Sequence, residues 1–155
     1  MTSTADELEA IRVLKARYFR YIDTKDWQAW REVFAPDIEG KVDQASSVRG
    51  ADGQTGPTWR GVDEFVPSVV ALIDECSTMH HGHTPEITLT SDSTAAGIWA
   101  MEDIVEFPDG RMLRGAGHYH ETYEKQGGQW RIKTLHLTRT RVELSGDWSA
   151  FQFGQ

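Results

Sequence analysis

Cysteine is nearly absent from this chain: there is one, Cys76, in 155 residues. A single thiol excludes an internal disulfide and any zinc site built on a cysteine pair. Its default role is that of a small buried apolar group. Positive charge is scarce as well. Lys and Arg number 16 against 24 Asp and Glu, a net charge of −8. Without a basic stripe, nucleic acid and anionic membrane surfaces are not expected partners. No apolar run approaches the roughly 20 residues of a membrane-spanning helix. The opening, Met1 to Glu7, lacks the basic and apolar regions of a signal peptide. A cytoplasmic location is the expectation. Phosphate-binding Gly-rich loops and the Gly-x-Ser-x-Gly elbow are also missing, which sets aside nucleotide chemistry and serine hydrolysis.

Apolar side chains make up 39% of the residues and aromatics 10%, enough to fill a core and line a pocket. The length suits one domain spanning 1–155.

Thr4 to Glu7 reads as a capping box, Thr-x-x-Glu, opening a helix over about 5–23. At about 100° per residue, Leu8, Ile11, Leu14, Tyr18, Phe19, Tyr21 and Ile22 share one broad arc. Arg12 and Lys15 project near it. Asp23 falls on its edge, in position to border an apolar cavity. Asp26 can cap a short helix from Trp27 to Phe34, stopped by Pro36. A first strand is expected from Asp37 to Val42. Residues 43–60, with Gly50, Gly53, Gly56 and Pro57, read as a long loop. Gly61-Val62-Asp63 opens a third helix to about Cys76, with Pro67 tolerated only near its first turn.

The period then changes. His80–Leu89, Thr94–Phe107, Arg111–Lys125 and Trp130–Glu143 read as strands separated by turn signals. Short links imply antiparallel neighbours. Helices first and a curled meander after give an α+β fold. The aromatic tail, Trp148, Phe151 and Phe153, can fold over a pocket or reach a neighbouring subunit.

Tyr18, Asp23 and His80 carry the chemistry most suggestive of a function. A neutral imidazole is a general base poised near neutral pH. A carboxylate bonded to one ring nitrogen fixes the tautomer and stabilises the imidazolium formed on proton abstraction. A phenol can donate to an oxygen that leaves or gains charge. The plainer alternative makes Asp23 a helix cap and His80 an ordinary polar residue at a strand start. In the strand from Thr94, Trp99, Met101, Asp103, Val105 and Phe107 share the face better suited to a pocket wall. On that face Asp103 is a candidate acid, with a solvated edge position the more conventional reading. Arg139 and Arg141 suit an anionic substrate group or, more conventionally, surface ion pairs. The His118-x-His120 pair puts two rings on one face, as a metal site requires, and also suits a pocket or subunit contact.

Three segments carry a resemblance. IRVLKARYFRYIDTKDWQAWREVF (Ile11 to Phe34), STMHHGHTPEITL (Ser77 to Leu89) and GAGHYHETYEKQGGQWRIKTL (Gly115 to Leu135) resemble SnoaL-like proteins of the nuclear transport factor 2-like superfamily. The resemblance implies a cone-shaped α+β barrel, a strongly bent sheet wrapped around three helices with a deep apolar cavity. It also implies the chemistry of scytalone dehydratase, bile-acid 7α-dehydratase and hexachlorocyclohexane dehydrochlorinase, which eliminate water or HCl without a cofactor. Asp23 and His80 fall where the dehydrochlorinase has its catalytic pair, and Tyr18 where bile-acid dehydratase has its tyrosine. The chain departs from many relatives at His83, where they carry Asn, and at His118 and His120.

The resulting expectation is a cofactor-independent lyase, with isomerase, cyclase or non-catalytic binding module as alternatives. Asp23, His80 and Tyr18 are the expected catalytic residues. His83, His118, Trp99, Met101 and Tyr21 are the expected substrate contacts, with His83 or His118 as a second acid. No metal is expected to be required. The implied substrate is a small apolar ring compound, and the implied assembly a homodimer or homotrimer.

Overall fold

A computed structural model describes residues 2–46 and 55–150. Helix α1 spans Thr4–Thr24, α2 Trp27–Arg31 and α3 Val62–Ile73. The strands are β1 Phe34–Ser46, β2 Thr55–Arg60, β3 Ser77–Leu89, β4 Thr94–Glu106, β5 Met112–Gln126 and β6 Gln129–Ser145. All six form one sheet in the order β2-β1-β6-β5-β4-β3. Every neighbouring pair is antiparallel except β1 and β6, which run parallel. This is the curved-sheet α+β cone that the resemblance implies.

The helix ends are set by side chains, and not all where the sequence pattern suggests. Ser3, not Thr4, caps α1: its hydroxyl accepts the Asp6 N–H while the Asp6 carboxylate accepts the Ser3 N–H. Glu7 is drawn away from the cap because Lys125 and Trp130 each donate to its carboxylate at 2.6 Å. At the other end Lys25 adopts the left-handed conformation (φ 60°), and its N–H closes the helix on Ile22 and Tyr21 carbonyls. Helix α2 stops at Arg31, short of the expected Phe34. Phe34 is instead recruited into β1, where it pairs in register with Ile132. The expected long loop is partly strand, since 43–46 belong to β1 and 55–60 to β2; residues 47–54 lie outside the described part. Pro67 is the sixth residue of α3, past its first turn.

Curvature comes from irregularities in the ladder. Between β5 and β6 the register shifts twice, leaving Lys133 and Thr140 as extra residues on β6. Such bulges bend a strand and reset which side chains face inward. Trp130 and Ile132 point in; beyond the bulge Leu135, Leu137 and Arg139 do. In β3, Thr84 (φ 35°) and Pro85 fall outside the pairing with β4.

The concave face and the helices enclose a core rich in aromatic rings. Trp30 sits at its centre, within 6 Å, ring to ring, of Tyr18, Trp27, Phe34 and Phe65. Lys15 breaks the apolar stripe of α1 yet is fully buried. Its ammonium donates to Glu121 and lies 3.8 and 3.6 Å from the ring centres of Tyr18 and Tyr119. No helix among the described residues is long and apolar enough to cross a membrane.

Candidate active site

The end of α1 and the start of β3 meet through Asp23, Thr78 and His80. His80 Nδ1 lies 2.7 Å from Asp23 Oδ1, and the His80 backbone N–H donates to Asp23 Oδ2 at 2.8 Å. Two bonds from one residue to both carboxylate oxygens lock side chain and backbone together. The ring is 8% exposed and the carboxylate 23%. A third donor, the Thr78 hydroxyl, reaches Asp23 Oδ1 at 2.9 Å, and Lys25 Nζ donates to that hydroxyl at 2.8 Å. Burial pushes the Asp23 carboxyl up, but the bonds from His80 and Thr78 outweigh it and hold it below the usual carboxylate range. Asp23 is thus an acceptor. Its partner Nδ1 carries the proton, leaving Nε2 as the basic nitrogen.

His80 opens onto a cavity of about 200 Å³ inside the cone. Tyr18, Asp103, Tyr119 and Arg139 line it as well, as do Asp43 and Gln44. Most of the remaining wall is apolar, with Ile22, Trp59, Phe65, Val69 and Leu137 among its residues. Trp148 closes one side, its indole edge-on to Phe107 at 5.4 Å. The tail therefore does fold over the cavity as far as Trp148, while Phe151 and Phe153 lie outside the described residues. Gln44, also in the wall, holds a buried amide oxygen that has no hydrogen-bond partner among the described residues.

Burial pushes the phenols of Tyr18 and Tyr119 well up, so both are neutral donors at physiological pH. Their rings meet edge-on, with centroids 5.7 Å apart.

Asp103 departs from the solvated-edge reading. It is 3% exposed and accepts two bonds from Arg139, at 2.6 and 2.9 Å. Gly115 makes the pairing possible. A Cβ there would sit 1.9 Å from an Arg139 nitrogen and 2.4 Å from an Asp103 oxygen. Arg139 is likewise buried rather than a surface partner, whereas Arg141 is exposed and pairs with Glu143. The signal for Arg139 was the same-face series Leu135-x-Leu137-x-Arg139, which carries the charge inward. Thr78 gave no signal beyond standing two residues before His80.

The expected substrate contacts fall elsewhere. Trp99 and Met101 face inward, but they pack in the core instead of lining the cavity. Trp99 is held there by its N–H bond to the Tyr123 hydroxyl at 2.9 Å. Tyr21 lies on a separate surface groove with Arg17 and Arg131, and Arg20 stacks on its ring. His83 and His118 stand on the convex face of the sheet, because they alternate with the inward positions 80, 82, 117 and 119. Neither is placed to act as a second acid in the cavity. His120, on the same face, bonds to Thr138 at 3.1 Å. Among the described residues no three His, Cys, Asp or Glu side chains are grouped to hold a metal ion. Cys76 is buried against the Leu72 carbonyl, and burial pushes its thiol up.

Known proteins show the same architecture. The chain is 22% identical over 147 residues to the "probable cyclase FGR4" of Gibberella zeae, covering 93% of this chain and 98% of that one. It superposes on a type 2 hexachlorocyclohexane dehydrochlorinase (LinA) with a TM-score of 0.74 at 16% identity, over 90% of this chain and 89% of that one. A variant of Rv3472, a protein of unknown function from Mycobacterium tuberculosis, superposes with a TM-score of 0.71 at 25% identity, over 87% of this chain and 72% of that one. The model of the SnoaL-like domain matches residues 3–136. By that match the chain belongs to the SnoaL-like domain family.

Proposed function

We propose that the protein is a lyase that removes a small leaving group, water in the simplest case, from a ring compound by proton abstraction. The observation that carries this reading is the Asp23–His80 contact at 2.7 Å beside an apolar cavity. His80 Nε2 takes a proton from carbon. The C–H electron pair forms the new double bond as the adjacent C–O bond breaks. Asp23 stabilises the imidazolium, and Tyr18 donates a hydrogen bond to the departing oxygen. The imidazolium then releases its proton, so that water leaves and His80 returns to its neutral form. Residues of the chain supply every step. Arg139, already neutralised by Asp103, offers its remaining N–H groups to oxygen on the substrate.

The cavity supports a small, largely apolar substrate. A void of roughly 150 Å³ accepts benzene, so about 200 Å³ suits a one- or two-ring molecule. The Gln44 oxygen, which has no hydrogen-bond partner among the described residues, supports a ring that carries a hydroxyl. A cyclase using the same proton transfer is the second reading, favoured by the name of the Gibberella relative.

The test is turnover of hydroxylated one- and two-ring compounds by the wild type and by His80→Ala. Loss of a measurable elimination in the variant supports the reading. Turnover that survives the replacement removes His80 as the base. Binding of the same compounds without turnover by either protein points to a ligand-binding module.

A further inference from the structure

We propose that Thr78 and Lys25 are positioning residues that form a relay setting the proton affinity of the Asp23–His80 pair. The inference rests on His80 being the proton acceptor.

The direction of every bond in the relay is forced. Lys25 Nζ lies 2.8 Å from Thr78 Oγ1, and an ammonium can only donate. The hydroxyl must accept from it, so its one proton goes to Asp23 Oδ1, 2.9 Å away. That oxygen is the one that faces His80 Nδ1. A cation, a hydroxyl and a carboxylate in series polarise one another. The chain draws carboxylate charge away from the imidazole.

That withdrawal matters for a base. An unshared carboxylate at 2.7 Å stabilises imidazolium strongly. A histidine held charged at neutral pH cannot accept a proton from substrate. Thr78 and Lys25 moderate the pull while leaving the tautomer fixed.

Backbone geometry gives an independent argument. Lys25 closes α1 at φ 60°, a conformation glycine adopts without strain and lysine does not. What lysine contributes at this position is therefore its side chain, which turns back over the helix end to Thr78. The other groups near the pair do not replace it. Tyr18 and Tyr119 are neutral, and the charge of Asp103, beside His80 on β4, is matched by Arg139 on β6. Asp74 and Cys76 lie on the Lys25 side.

The experiment follows the His80 ring protons by NMR against pH, without substrate, in the wild type and in Thr78→Val, Thr78→Ser and Lys25→Met. In Thr78→Val and in Lys25→Met the midpoint moves upward by about half a pH unit or more, and Thr78→Ser keeps the wild-type midpoint. A midpoint that stays put or falls in both Thr78→Val and Lys25→Met overturns the relay. Should Thr78→Val fail to fold, Lys25→Met alone decides, since its side chain is removed from a helix end. Turnover retained by His80→Ala removes the catalytic reading instead, and leaves the measured midpoints as they are.

Discussion

Arg139 grips Asp103 through two hydrogen bonds, at 2.6 and 2.9 Å, inside the wall of the cavity that His80 faces. A charge pair this buried is costly to break from one side, because the survivor is left desolvated and unpaired. Asp103→Asn is expected to lower stability by about 3–5 kcal/mol in urea unfolding. Loss of less than ~1 kcal/mol would mean that water already reaches the pair.

Gly115→Ala attacks the same contact without changing a charge. Its new methyl would overlap both partners, at 1.9 and 2.4 Å. Expected are a loss of stability and a loss of ligand affinity in the cavity, read by thermal melts and by titration with a converted compound. An unchanged affinity would show that the ion pair does not shape the ligand site.

Lys15 and Glu121 form a second buried pair, on the core side of Tyr18 and Tyr119. Lys15→Met is expected to cost about 3–5 kcal/mol, since it leaves the buried Glu121 carboxylate without its cation and with only the Tyr123 hydroxyl donating to it among the described residues. Adding Glu121→Gln should recover a large part of that loss. A double-mutant cycle checks this: additive losses would contradict direct coupling.

Both pairs show how much of this molecule the residue pattern discloses. The α+β order, the four late strands and the inward face of β4 are legible because alternation and turn residues report local geometry. Asp23 and His80 are legible because a helix arc and a strand start locate them, and a family resemblance joins them. Asp103 reads as a solvated edge residue, and Lys15 only as a break near the apolar arc of the first helix, because their partners, Arg139 and Glu121, are distant in sequence. His83 and His118 read as pocket residues because alternation reports which positions share a face and not which face is concave. The phase of β6 is set by the bulge at Lys133, which no turn residue announces.

The Glu7 carboxylate supplies a pH prediction. Hydrogen bonds from Lys125, and with it Thr2 and Trp130, hold it down to about 2, from an ordinary 4.5. A carboxyl lowered on folding stabilises the folded state above its ordinary value, and that contribution fades as pH falls toward the lowered one. The stability difference between wild type and Glu7→Gln should therefore be widest above pH 4.5 and shrink on acidification toward about 2. Urea unfolding at several pH values measures it. A difference independent of pH would mean that Glu7 acts through packing alone.

Asp23→Asn tests the carboxylate without removing its shape. An amide cannot stabilise imidazolium, and its NH₂ group favours the opposite tautomer. Turnover is expected to fall on the order of 10²- to 10⁴-fold with binding of substrate little changed. A loss confined to KM would assign Asp23 to binding.

The most direct measurement is a crystal structure of the wild type with a slowly converted ring compound. The account predicts density inside the cone, with a carbon that bears the transferable hydrogen about 3–3.5 Å from His80 Nε2 and an oxygen near Tyr18. Density confined to the convex face, or a ligand in the cavity with Nε2 turned away from every such carbon, would contradict it.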